Sequence, residues 1–156
     1  MVVEGVATKA ICPTNVNAVP HRHEVKVRFY ELDPYGHLNH SAYIQLFETG
    51  RIEMLEQAGV ALHEIEKNDF RFVVSQIETS FLKSVEAGAH LIVLTEVLEI
   101  RRASSLWWQQ IIDESDVVAT QRARIAITNS SGKPIRAPRE IIEAITPFLS
   151  GIKTDE

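Results

Sequence analysis

Between Tyr30 and Tyr43 the chain reads Tyr-Glu-Leu-Asp-Pro-Tyr-Gly-His-Leu-Asn-His-Ser-Ala-Tyr, so that an acid, two histidines, an amide and a glycine fall close together. Asp33-Pro34 starts a turn, because proline fixes φ and keeps the residue before it out of the helical region. Gly36 then allows a backbone conformation that a side chain would oppose. From Asn39 or Ser41 a helix can begin, with either side chain able to cap it. The free N–H groups of its first turn would point into the space that holds Asp33 and His37. A carboxylate facing a helix N-terminus suits acyl transfer, in which an acid attacks or activates water and N–H donors hold the oxyanion.

The flanking elements must position that stretch. From His23 to Tyr30 polar and apolar residues alternate, which predicts a strand with Val25, Val27 and Phe29 on one face. After the turn, Tyr43, Ile44, Phe47, Ile52, Leu55 and Ala58 recur at helical spacing, and Gly59 is a plausible stop. Gly50 inside that helix costs about 1 kcal/mol relative to alanine, which points to a close helix-to-sheet approach. Residues 60–68 read as a short helix, and four strand-like runs follow over 70–85, 90–101, 105–113 and 117–129. Arg102-Ala103-Ser104 and Glu114-Ser115-Asp116 are short enough for hairpins, so the strands are antiparallel neighbours. Pro138 to Leu149 predicts a terminal helix with proline at its first position. One apolar-faced helix and about five strands can bury one another, which gives an α+β class.

At 156 residues the chain fits one domain, read as a loosely held arm over 1–20 and a single domain over 21–150. Hydrophobic residues make up 45 % and charged ones 24 %, which argues against wholesale disorder. A net charge of −5 without a dense basic block argues against a nucleic-acid partner. No apolar run approaches the ~20 residues of a membrane span, and no leader pattern is visible, so a soluble cytoplasmic protein is expected. Cys12 is the one cysteine and rules out an internal disulfide. His21-Arg22-His23 could present two imidazoles on one strand face, but a third ligand at short spacing is lacking and a solvated edge is the plainer reading.

The order of elements and the turn resemble the hotdog-fold acyl-CoA thioesterases of the 4-hydroxybenzoyl-CoA thioesterase type. Asp33-Pro34-Tyr35-Gly36 and the run Tyr43 to Arg51 match the family's Asp-x-x-Gly turn and its central helix bearing an acid and an arginine. His37-Leu38-Asn39-His40 is similar to the His-Val-Asn-Asn run of long-chain acyl-CoA and plant acyl-carrier-protein thioesterases. The resemblance implies a sheet of about five strands wrapped around one long helix. It also implies hydrolysis of an acyl-CoA or acyl-carrier-protein thioester with no metal or cofactor, by a homodimer or homotetramer with sites at the subunit interface. Asp33 is then the base or nucleophile, His37 and His40 polar partners, Asn39 a water-orienting group or a cap, and Glu48 a reserve acid.

A coenzyme A substrate needs cations, for which Lys83, Arg101, Arg102, Arg122 and Arg124 near strand ends are candidates. Tyr43, Phe81, Trp107 and Trp108 are candidates to line an acyl pocket, although strand aromatics are more often core. Glu48 and Arg51 lie i,i+3 and read as an ordinary ion pair. Competing readings are an enoyl-thioester dehydratase, a silent acyl-thioester binding module, and a metal hydrolase on Asp33, His37 and His40. Proline and glycine inside the segment argue against the continuous helix that last ligand set would need.

Overall fold

The computed structural model describes residues 18–62 and 67–151. Most of the expected arm, with Cys12, and the middle of the short helix expected over 60–68 lie outside them.

Strand β1 (His21–Lys26) pairs antiparallel with β3, His21 opposite Thr95 and Lys26 opposite His90. It stops earlier than the alternation suggests. The Arg28 N–H donates to Glu31 Oε2 at 2.7 Å, and Phe29–Glu31 closes into a 3-10 turn. Val27 stays buried, whereas Phe29, expected on the same apolar face, is turned out and 85 % exposed.

Helix α1 (His40–Gln57) begins where expected, with Asn39 as its cap: Asn39 Oδ1 accepts from the Ser41 N–H at 2.9 Å. It ends at Ala58, and Gly59 follows in the left-handed region at φ +84°. Its buried face includes Tyr43, Phe47, Gly50, Arg51, Met54 and Leu55. Ile44 and Ile52, predicted on that face, are only half-buried on its flank. Arg51, read from spacing as the partner of Glu48 on a polar face, is instead 6 % exposed.

Strands β2 (Arg71–Phe81), β3 (His90–Ile100), β4 (Ser104–Asp113) and β5 (Asp116–Thr128) complete one antiparallel sheet in the order β1-β3-β4-β5-β2. The polar interruption at Ser75-Gln76 is a register shift between Val74 and Gln76. The first of the four runs ends at Phe81 rather than Val85, because the Leu82 and Lys83 N–H groups both turn to the Val118 carbonyl. Helix α2 (Arg139–Ile145) is shorter than expected and takes Pro138 as its cap, not its first residue. The Ala137 N–H donates to the Arg102 carbonyl, and Pro138 keeps an extended ψ of 147°.

Helix α1 packs mainly over β1, β3 and β4. Its amino-terminal half joins Tyr43, Leu46 and Phe47 to Leu91, Val93 and Ile111. Its carboxy-terminal half joins Met54 and Leu55 to Trp107, Ile125 and Ile145. Between these two apolar clusters runs a buried polar layer. Arg51 Nη1 donates to Gln109 Oε1 at 2.8 Å and to Gln121 Oε1 at 2.6 Å. Gln109 Nε2 in turn reaches the Phe47 carbonyl at 2.8 Å and Thr95 Oγ1 at 2.9 Å.

That layer explains Gly50. A Cβ there would stand 2.7 Å from Val93 Cγ1, 3.0 Å from Gln109 Nε2 and 3.1 Å from Thr95 Oγ1. Alanine would improve helix propensity by about 1 kcal/mol but push the helix off the sheet at the point where Gln109 reaches the helix backbone. Gly50→Ala is expected to lower stability by a net 1–3 kcal/mol or so in urea denaturation. An unchanged midpoint would mean that the approach is not needed.

Candidate active site

The Asp33 turn is closed by its own backbone. The Asp33 N–H donates to the His37 carbonyl at 2.7 Å, and the Gly36 N–H to the Asp33 carbonyl at 3.0 Å, with Gly36 at φ +83°. Asp33 Oδ1 accepts from the Tyr35 N–H at 2.8 Å and the His37 N–H at 3.1 Å. One carboxylate oxygen therefore holds the turn, as aspartate before proline commonly does. The other, Oδ2, has no donor among the described residues. Leu38 anchors the turn to the sheet: its side chain is buried and its N–H donates to the Val85 carbonyl at 2.9 Å.

At the start of α1 the N–H groups are unequally used. Ser41 N–H is taken by the Asn39 side chain, and those of Ala42 and Tyr43 by the Asn39 carbonyl. Asn39 is thus a cap. The His40 N–H meets no acceptor among the described residues, which leaves it as a donor at the positive end of the helix. The His40 ring is exposed and stands edge-on to Phe81 at 6.4 Å between centroids, and Tyr43 meets Phe81 at 5.3 Å. Tyr43 Oη donates to the Lys83 carbonyl at 3.0 Å. Burial, then the charges of Asp113 and Asp33, push the Tyr43 hydroxyl above its ordinary pKa.

The His37 ring turns away from that carboxylate. Its Nε2 lies 3.2 Å from Glu86 Oε1, and the two residues also form an isolated backbone bridge. Glu86 carries no motif of its own and follows β2 by several residues, so only the fold places it beside the turn. Glu48 is exposed on α1, where its charge pushes the Arg51 pKa up against the larger downward effect of burial. Among the described residues no group of three or more His, Cys, Asp or Glu is arranged to hold a metal ion.

The remaining candidates fall in different places. Lys83, at the same end of the sheet as the turn, pairs with Asp116 at 3.1 Å. Arg101 pairs with Glu99, which also lies 3.7 Å from Arg124, and Arg102 is exposed beside Arg101. These arginines lie at the opposite end of the sheet. The 11 residues of β3 separate the two ends, a distance of about 35 Å. Trp107 is fully buried in the second apolar cluster and donates its indole N–H to Ser105 Oγ at 2.7 Å. Trp108 is half-buried on the other face of the sheet, as the strand alternation requires. Asp33, His37, Asn39, His40, Tyr43, Phe81 and Lys83 thus gather at one end within this chain, and Arg101, Arg102 and Trp107 do not.

One antiparallel sheet of five strands against one long helix is the hotdog arrangement, and comparison with known proteins agrees with that fold. The family model described as the thioesterase-like superfamily matches residues 27–145. The chain belongs to that superfamily. It is 25 % identical over 133 residues to the chloroplastic acyl-acyl carrier protein thioesterase ATL3 of Arabidopsis thaliana, covering 83 % of this chain and 69 % of that protein. It is 24 % identical over 119 residues to the acyl-CoA thioesterase YbgC of Haemophilus influenzae, covering 75 % of this chain and 88 % of that one. The crystal structure of a probable thioesterase from Bartonella henselae superposes with a TM-score of 0.74 at 26 % identity, covering 77 % of this chain and all of that one.

The His-x-His pair of β1 has a packing consequence. His21 is buried edge-on against Phe148, 6.1 Å between ring centroids, and its Nδ1 has no partner among the described residues. Burial holds its pKa below the ordinary value; a Gln57 hydrogen bond opposes this, His23 adds to it and Glu53 opposes it. The unfolded chain therefore binds a proton that the folded chain resists, and stability falls as pH drops through about 6.5 and below. His21→Gln is expected to flatten the dependence of the urea midpoint between about pH 7 and 5. Equal slopes in both proteins would exclude His21 as the source.

Proposed function

We propose that this chain hydrolyses an acyl thioester of coenzyme A or of an acyl-carrier protein to the free acid and the thiol. The observation that carries the reading is the division of labour within Asp33: Oδ1 is committed to the turn, and Oδ2 is left without a donor among the described residues. The unused His40 N–H stands at the start of the adjoining helix. In the water-based route, Oδ2 takes a proton as a water oxygen adds to the thioester carbonyl, and the His40 N–H accommodates the oxyanion. Collapse breaks the C–S bond, and the proton passes to the departing thiolate. If Asp33 attacks the carbonyl itself, the thiolate leaves first and water then opens the mixed anhydride. His37, held by Glu86, and the Tyr43 hydroxyl complete the polar surround. The thioesterase names of the plant and bacterial relatives support the same chemistry.

The first test is free-thiol release from short, long and aromatic acyl-CoAs and from acyl-carrier-protein thioesters. Asp33→Asn is expected to reduce kcat on the order of 10²–10⁴-fold, with no response to added chelator. Wild-type rates retained in Asp33→Asn would remove Asp33 from the chemistry.

The functional unit in this reading is a cytoplasmic homo-oligomer built on a dimer. Strand β2 is one of the two edges of the sheet, and Val73, Val74, Ile77, Phe81 and Leu82 on and just beyond it are each at least 38 % exposed. An uncovered apolar edge is normally avoided, and a second copy paired antiparallel across it would cover both edges at once. That pairing would also bring the Arg101-Arg102 end of one copy toward the Asp33 end of the other, supplying cations for the phosphates of coenzyme A. Sedimentation is expected to give twice the chain mass for the wild type and the single mass for Val74→Lys/Ile77→Lys. A monomeric wild type would overturn the dimer.

A further inference from the structure

The polar layer under α1 holds more hydrogen-bond donors than it uses. Arg51 is 6 % exposed, and both N–H groups of its Nη1 are spent on the two glutamine oxygens. A guanidinium has five N–H groups, and those on Nε and Nη2 meet no acceptor among the described residues. Neither nitrogen is among the unpartnered atoms sealed from solvent, which belong to His21, Arg122, Arg124 and Ser150. The free edge of the cation therefore borders accessible space. Gln121 Nε2 extends the layer to Thr79 Oγ1 at 2.9 Å, which leaves the Thr79 hydroxyl hydrogen to donate onward. No carboxylate touches Arg51 among the described residues. A buried cation with spare donors and neutral partners is arranged to receive an acceptor oxygen.

The inner face of β2 next to it leads back to the candidate active site. Helix α1 lies mainly over β1, β3 and β4, so the inner face of β2 extends beyond it. On that face Phe81, Thr79 and Ile77 stand opposite Ala119, Gln121 and Ala123. Phe81 lies against His40 and Tyr43 at the helix start, and Phe81 and Ile77 are 48 % and 38 % exposed. Thr79 is two residues along the same face from Phe81, about 7 Å away. The Arg51 side chain leans back toward the helix start, as helical side chains do. An acyl group with its carbonyl at the His40 N–H and its body along β2 would meet an apolar wall first and then the donors of Thr79 and Arg51.

We propose that Arg51 and Thr79 read the far end of the acyl group, so that the site selects thioesters carrying a hydroxyl, keto or carboxylate oxygen on the acyl chain away from the thioester carbonyl. The choice of a thioester rests on the function proposed above; the donor site itself rests on the Arg51 geometry.

The test compares hexanoyl-, 6-hydroxyhexanoyl- and adipoyl-CoA in the full-length protein. The wild type is expected to prefer an oxygenated chain over hexanoyl by about tenfold or more in kcat/KM. Preference for adipoyl over 6-hydroxyhexanoyl would identify the oxygen as anionic, and the reverse as neutral. Arg51→Met and Thr79→Val are each expected to bring the ratio of oxygenated to plain substrate toward one. Thr79→Val changes a half-buried strand position and serves if Arg51→Met does not fold. Calorimetry with the matching non-hydrolysable thioethers (hexyl-, 6-hydroxyhexyl- and 5-carboxypentyl-CoA) separates recognition from turnover. Thiol release from none of the esters would fail the hydrolase reading alone, and the thioether affinities would then decide the present one. Equal affinity for plain and oxygenated chains, or a preference untouched by Thr79→Val, would overturn it.

Discussion

The guanidinium of Arg51, held between the side-chain oxygens of Gln109 and Gln121, ties the helix to the sheet on which everything else is arranged. Removing one partner of a buried charge costs about 3–5 kcal/mol, against 0–1 for an exposed pair, so this layer outweighs the surface ion pairs as a determinant of where α1 lies. It reaches α1, β2, β3, β4 and β5 through Thr79, Thr95, Gln109 and Gln121. It also divides the core. The apolar cluster on one side supports the start of α1 and the Asp33 turn, and the cluster on the other closes against α2. Gly50 is what lets the backbone come close enough for Gln109 to bridge the two.

The turn solves a different problem with little material. Its aspartate both builds the backbone and keeps an oxygen in reserve, because two main-chain donors converge on Oδ1 alone. The neighbouring helix does the same with its N–H groups: Asn39 satisfies three of the first four through its side chain and carbonyl, leaving that of His40. A carboxylate oxygen and a peptide N–H are thereby left unpaired by local bonding rather than by strain. Burial of Leu38 and its bond to Val85 fix this pair of groups relative to the sheet.

The open β2 edge stands in contrast to the saturated middle of the sheet. Fully buried Gln109 and Gln121 sit on central strands, while apolar Val74 and Ile77 are exposed on the edge. Such an inversion marks a surface that a partner or a ligand covers. Arg101, Arg102 and Arg124 lie at the far end from Asp33 in the same chain, which would give the proposed dimer a chemical purpose as well as an apolar one.

Much of this was legible in the chain itself. The Asp33-Pro34 turn, the Asn39 cap and the stop at Gly59 depend on neighbours a few residues away, and strand alternation set most of the sheet. The errors came where two local patterns compete or where sequence-distant partners decide. Phe29 left its strand because Glu31 closed a turn on Arg28, a contest between two local patterns that alternation alone does not rank. Arg51 looked like a surface partner for Glu48 because a charge at helical spacing is usually solvated; its burial depends on two glutamines from strands far along the chain. The pairing of His37 with Glu86 has the same origin. Local bonding could be read from order alone, whereas the destination of each long polar side chain was decided by sheet register, which brings acceptors together that the sequence keeps apart.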